Sequence, residues 1–337
     1  MAEPSLMPAI VKLAPGPGNV ELHAVPRPVA EPDQVIVEVH AAGVCGTDLH
    51  ILDDHYPTRP PVVLGHEVSG VVVACGSAVP SEWIGRSVAI ESHHQRCHCT
   101  QCRAGRRNLC PHKQSMGSFV NGGFAPLVAA REELVHHLPP GISTTVGALS
   151  EPLACVAHLL VEDGVVRAGD RVLVTGPGPM GMLAAMVAMV SGATVVLSGL
   201  PADADRLARA QAAGITVTDQ PITTQFDVVV ECSGSSGGAR VALEAAAPRG
   251  RYVAVGIHGR EVTVPFDLVL YKELTVTSGF AATARSWQLA MSLMASGLLN
   301  LEHVISSVRP LADWNDVVAE LRGGQGMKVL FDPRLSA

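Results

Sequence analysis

Lysine is nearly missing from this chain. Lys12, Lys113, Lys272 and Lys328 are the whole set among 337 residues. Lysine and arginine together number 24 against 31 acidic residues, a formal charge of -7. A chain without a basic footprint is a poor partner for nucleic acid. Aromatic residues are also few, at 4%, which points to a polar rather than a greasy pocket. The first ten residues show no basic stretch followed by an apolar run, so no secretion signal is expected. The longest apolar stretch, Met182 to Val190, is too short to span a bilayer. No internal repeat and no low-complexity tract occurs. These absences predict a soluble, cytoplasmic protein with neither membrane nor nucleic acid as partner.

What is present divides the chain in two. The length suggests two domains of ordinary size, and 47% hydrophobic residues allow each a core. Up to about Leu138, short β-rich runs recur between Gly, Pro and Asp clusters: Ala9-Leu13, Gln34-His40, Val68-Cys75, Ser87-Glu91 and Phe124-Ala129. That punctuation predicts a barrel-like or sandwich domain. After Pro152 the pattern becomes strand alternating with helix. Strands are expected at 171–175, 194–198, 226–232, 251–256, 274–278 and 328–331, with helices at 153–161, up to Val190, 203–213 and 285–297. Such alternation means a doubly wound parallel sheet, so the fold class is α/β.

Three constellations carry chemistry. Gly176-x-Gly178-x-x-Gly181 directly follows the apolar run Val172-Leu173-Val174-Thr175 and opens a helix. In that setting Gly176 permits the tight turn, Gly178 the approach of a pyrophosphate and Gly181 the packing of helix on strand. Pro179 and Met180 complete the loop, whose phosphates would meet the helix N-terminus. About 20 residues on, an acid usually bonds the adenosine ribose. Here Ser198-Gly199 stands in its place, with Arg206 beyond, which favours NADP and leaves NAD open.

Eight cysteines without a secretion signal point to metal or reduced thiols rather than disulfides. Cys45 and the pair His66-Glu67 offer a thiolate, an imidazole and a carboxylate, enough for zinc with a position left open. Cys97, Cys99, Cys102 and Cys110 offer four thiolates, enough to close a second zinc. Open zinc sites do chemistry and closed ones hold shape. Metal plus dinucleotide points to hydride transfer.

The strings Cys-Gly-Thr-Asp-Leu-His at 45–50, Gly-His-Glu at 65–67, Glu-Pro-Leu-Ala at 151–154 and Gly-Pro-Gly-Pro-Met-Gly at 176–181 resemble those of the zinc-dependent medium-chain dehydrogenase/reductase family. The resemblance is greatest to its polyol (sorbitol-type) and threonine dehydrogenase branch, and covers nearly the whole chain. It implies a mainly-β, GroES-like catalytic domain over residues 1–152 and 281–337 and a Rossmann domain over 153–280. It makes Cys45 and His66 ligands of a catalytic zinc. Glu67 is then a third ligand or supports the ligands, and Glu151 binds the metal directly or through its water. Thr47 and His50 match a relay that carries the alcohol proton to solvent, and Asp48 a residue that orients a ligand.

The four-cysteine group matches the family's structural zinc lobe with one departure. Arg96 occupies the usual first position and Cys97 comes one residue late, so either Cys97 still reaches the metal or the lobe is distorted. His93 matches a position near the substrate, or lies in a solvated loop. The activity implied is hydride transfer between a secondary alcohol (polyol, sugar or amino-alcohol) and NAD or NADP, in a homodimer or homotetramer. A metal-stabilised dinucleotide sensor without turnover, and a quinone or enoyl reductase of the same fold, are the alternatives.

Overall fold

The computed structural model describes residues 5–93 and 97–336. The chain divides into two compact units, Met1–Glu151 with Ile305–Ala337, and Pro152–Val304. The second boundary falls later than the 280/281 division drawn from sequence. The reason is packing. Helix Ala284–Ala295 buries Trp287, Ala290 and Met294, and it packs on the π-turn His158–Glu162 of the second unit. The turn Leu301–Val304 packs on helices Pro179–Val190 and Ala204–Ala212.

The first unit is mainly β. Its central strand, Gln34–Gly43, pairs antiparallel with Glu67–Cys75, with Leu127–Arg131 and with Lys328–Phe331. The pairing with Glu67–Cys75 runs from Val35 opposite Cys75 to Gly43 opposite Glu67. Strands Ser87–Ile90 and Val135–His137 extend the sheet on one side, and Ile305–Arg309 closes the other. Leu6–Lys12 forms a small separate sheet with Val20–Pro26 and Val62–Val63.

The alternation expected of a half-buried strand is seen in Gln34–Gly43, whose Val35, Val37 and Val39 are fully buried. The strand expected at 124–129 starts later, at Leu127. Phe124 lies outside it, its ring edge-on to Phe331 with centroids 5.1 Å apart.

In the second unit six parallel strands run in the order Thr216–Thr218, Thr194–Ser198, Arg171–Thr175, Phe226–Glu231, Ala246–Ala254, Thr275–Ser278. Numbered along the chain this is 3-2-1-4-5-6, and the order reverses beside Arg171–Thr175. Ligands of such sheets bind outside the carboxyl ends of the strands at that reversal. Helix Pro179–Val190 buries every residue from Gly181 to Ala188, which explains why its sequence has no polar face.

Candidate metal centres and dinucleotide loop

Cys45 stands at the junction between strand Gln34–Gly43 and the short helix Gly46–Leu52. Asp48, in the first turn, accepts a hydrogen bond from the Cys45 backbone N–H at 2.9 Å. Glu67 opens strand Glu67–Cys75 and His66 immediately precedes it. They follow Gly65, which takes φ +90° with the Phe124 ring 2.4 Å from where a Cβ would stand; only glycine fits that turn. The result is that ligand atoms of Cys45, His66 and Glu67 all lie within 4.8 Å of one another.

Negative charge dominates the surroundings. Burial alone would lower the His66 pKa, but the hydrogen bond and charge of Cys45, with Asp48 and Glu151, hold it well above 6.5. Burial raises the Asp48 carboxyl, opposed by His66, and burial, Cys45 and Glu151 raise the Tyr56 hydroxyl. Asp48 Oδ1 and Glu67 Oε2 are buried without a hydrogen-bond partner among the described residues. Anionic oxygens desolvated this way are costly unless a cation answers them, so the donor set fits a divalent metal.

Glu151, buried in the first turn of helix Ser150–Ala157, is not in that close set. Its charge is nevertheless felt by His66, Tyr56 and Lys328. Thr47 and His50 share one face of helix Gly46–Leu52, and both are half-buried. The Cys45 thiol donates to Thr47 Oγ1 at 3.7 Å. His93 is buried, not in a solvated loop, and burial with nearby Lys113 and His66 lowers its pKa to about 4.

Lys328 touches the candidate site and was not singled out from the sequence. Its side chain is 4% exposed, and Nζ donates to Glu67 Oε1 at 2.6 Å and to the Val44 carbonyl at 3.0 Å. It lies 261 residues from Glu67, so no local pattern links them. The one available signal was a lone lysine opening the apolar strand Lys328–Phe331.

The four sulfur atoms of Cys97, Cys99, Cys102 and Cys110 also lie within 4.8 Å of one another. The irregular Cys97-x-Cys99 spacing therefore still brings Cys97 into the cluster, where the Cys99 backbone N–H donates to its sulfur at 3.4 Å; Arg96 is outside the described residues. A hydrogen bond from the Cys102 backbone lowers the Cys99 pKa to about 7, whereas burial and the neighbouring thiols push Cys102 up to about 12. Four thiols packed together cannot all ionise unless a cation joins them.

In the glycine loop, Gly176 adopts φ +94°, and a Cβ there would lie 2.7 Å from the Ser233 backbone. A Cβ on Gly181 would lie 2.0 Å from the Gly176 carbonyl. Around Gly178 a Cβ meets nothing within 4 Å. The first and third glycines are thus demanded by the fold, while the second leaves space beside the N-terminus of helix Pro179–Val190, which no side chain caps. Such an uncapped helix N-terminus can receive a phosphate. Met180 lies in the first turn of this helix.

The Ser198 carbonyl accepts from Gly176 N–H at 2.9 Å, tying the end of strand Thr194–Ser198 to the loop. A Cβ on Gly199 would press on Pro177 at 2.9 Å. Asp203, the nearest acid further on, is engaged locally. Its Oδ2 accepts from the Leu200 N–H at 2.9 Å, and its Oδ1 lies 3.9 Å from Arg206.

Two family models match the chain, the alcohol dehydrogenase GroES-like domain over residues 31–140 and the zinc-binding dehydrogenase domain over residues 179–296. A sorbitol dehydrogenase of Halalkalibacterium halodurans is 35% identical, covering 97% of this chain and 99% of that protein. A D-arabitol-phosphate dehydrogenase of Enterococcus avium is 32% identical, covering 97% of each. Among solved structures, a Sinorhizobium meliloti protein described as a zinc-binding dehydrogenase and bound to NADP is 31% identical. It superposes with a TM-score of 0.88 over 98% of this chain and 100% of that one. The chain belongs to the zinc-dependent medium-chain alcohol dehydrogenase family, in its polyol and threonine dehydrogenase-like branch.

Proposed function

We propose that the protein oxidises a secondary alcohol of a polyol, sugar or amino-alcohol, using a zinc held by Cys45, His66 and Glu67, with Glu151 in reserve as a further ligand. The observation that carries this reading is the convergence of those three ligand atoms within 4.8 Å in a partly buried, anionic setting. When bound, zinc supplies a Lewis acid that lowers the pKa of an alcohol hydroxyl, and nicotinamide supplies a hydride acceptor. Asp48 orients the site through Cys45 and His66. Thr47 and His50 take the hydroxyl proton towards solvent.

The cofactor rests on Gly176, Gly178, Pro179, Met180 and Gly181, with Ser198 and Gly199 beside its ribose. Arg206, in the first turn of helix Ala204–Ala212 and just beyond a loop lacking a ribose acid, supports NADP over NAD. Cys97, Cys99, Cys102 and Cys110 hold a second, structural zinc.

Homo-oligomerisation, as a dimer or tetramer, is supported by an open edge of the parallel sheet. Val276 on edge strand Thr275–Ser278 is exposed, as are Phe266, Leu270 and Tyr271 just before it. No helix of the described residues is long and apolar enough to cross a membrane.

The reading is tested by a panel of polyols, sugars and amino-alcohols with NAD and NADP, before and after chelation. Turnover of a vicinal diol or amino-alcohol that is lost on chelation and restored by zinc is expected. Full turnover in metal-free protein would refute the metal role.

A further inference from the structure

At the carboxyl end of strand Phe226–Glu231, one buried carboxylate organises the wall of the glycine loop. Glu231 is 1% exposed. Its Oε1 accepts from the Ser233 N–H at 2.8 Å, the Ser233 hydroxyl at 2.5 Å and the Gly234 N–H at 3.1 Å. The Ser233 hydroxyl lies 2.9 Å from that of Ser235, which caps helix Ser236–Ala245 by accepting from the Gly238 N–H at 3.0 Å. A chain of hydrogen bonds therefore runs from Glu231 through Ser233 to the start of that helix.

The backbone this chain fixes is the one the glycine loop leans on. The Ser233 N and Cα atoms are what a Cβ on Gly176 would strike at 2.7 Å. The Cys232 N–H donates to the Thr175 carbonyl at 2.9 Å, one residue before the loop. Gly256 closes the other side, because a Cβ there would lie 2.7 Å from Glu231 Oε2 and 2.3 Å from the Gly234 nitrogen. Three backbone segments thus meet around one carboxylate. A carboxylate accepting several N–H and O–H bonds makes a stiffer brace than a neutral group, since charge-assisted bonds are shorter and stronger.

We infer that Glu231 is a positioning residue for the dinucleotide: through Ser233 it holds the Gly176 turn in the conformation that receives the pyrophosphate. This rests on the reading that the glycine loop binds NAD or NADP. The role would be felt in cofactor affinity, not in metal retention or alcohol recognition, because every group that Glu231 touches belongs to the dinucleotide-binding unit.

The test measures the dissociation constant of NADPH and NADH by fluorescence enhancement, with zinc content and alcohol KM at saturating cofactor read in parallel. Glu231→Ala should weaken the cofactor by tenfold or more with zinc content and alcohol KM unchanged. Glu231→Gln, which keeps the acceptor oxygen, should stay within about threefold of wild type, and Ser233→Ala should fall between. Wild-type affinity in Glu231→Ala would overturn the inference, as would parallel losses of zinc and alcohol affinity. If Glu231→Ala does not fold, Ser233→Ala decides, and an unchanged constant there overturns it.

Gly178→Val separates this from the underlying reading. A Cβ at 178 meets nothing in the fold, so the variant should fold and lose cofactor. Cofactor binding by Gly178→Val would instead refute the glycine loop as the site.

Discussion

Lys328 Nζ donates to Glu67 Oε1 at 2.6 Å inside the first unit, and both side chains are almost wholly shielded from solvent. Removing one member of a buried pair strands the other's charge, at a cost of about 3–5 kcal/mol. Lys328→Met should lose stability of that order, measured as a fall in the urea midpoint. In the double variant Lys328→Met/Glu67→Gln much of the loss should return, because no stranded charge remains. Additive losses in the double variant would show that the pair is not coupled.

Gly43 gives a second handle on the same carboxylate. A Cβ there would fall 2.0 Å from Glu67 Oε2, whereas one on Gly46, three residues on, meets nothing within 4 Å. Gly43→Ala should displace Glu67, lower zinc by up to one ion per chain and cut kcat at least tenfold. Gly46→Ala should retain both. Zinc analysis by mass spectrometry with steady-state rates checks the contrast, and equal behaviour of the two variants would refute it.

The cysteine lobe should respond separately. Cys97→Ser is expected to lower the zinc count from two to about one per chain and to lower the melting temperature, while the remaining ion supports turnover. A count unchanged at two would mean that Cys97 is not a ligand and that three sulfurs suffice.

His93 makes acid stability predictable. Its folded pKa, about 4, lies below the ordinary value of about 6.5 for an unfolded chain. A depressed histidine contributes stability that is fully present above pH 6.5 and is lost as pH falls towards 4, because only the unfolded state takes up the proton. The difference amounts to about 3 kcal/mol. The gap in unfolding free energy between wild type and His93→Asn should therefore narrow progressively from pH 6.5 to 4. A gap constant over that range would contradict burial of a neutral imidazole.

Much of this molecule could be read from local pattern. Strands Arg171–Thr175, Thr194–Ser198 and Lys328–Phe331 lie where the sequence places them, because each centres on a short apolar run marked off by polar residues. Cys45 and His66-Glu67 were visible because few other uses exist for those residues in glycine-rich strings. Strand Val62–Val63 has only two residues, too few for any period to show. Strand Ile305–Arg309 is held by its neighbour Lys328–Phe331 rather than by its own propensity. Lys328 and Glu231 act through partners that only the fold supplies, and an isolated charged residue in an apolar run does not announce its partner.

Anomalous diffraction at the zinc edge, from crystals grown with zinc present, tests the central claim most directly. Two peaks per chain are predicted, one bounded by Cys45, His66 and Glu67 and the other by Cys97, Cys99, Cys102 and Cys110. A single peak at the cysteine lobe, with nothing between Cys45 and His66, would contradict the account.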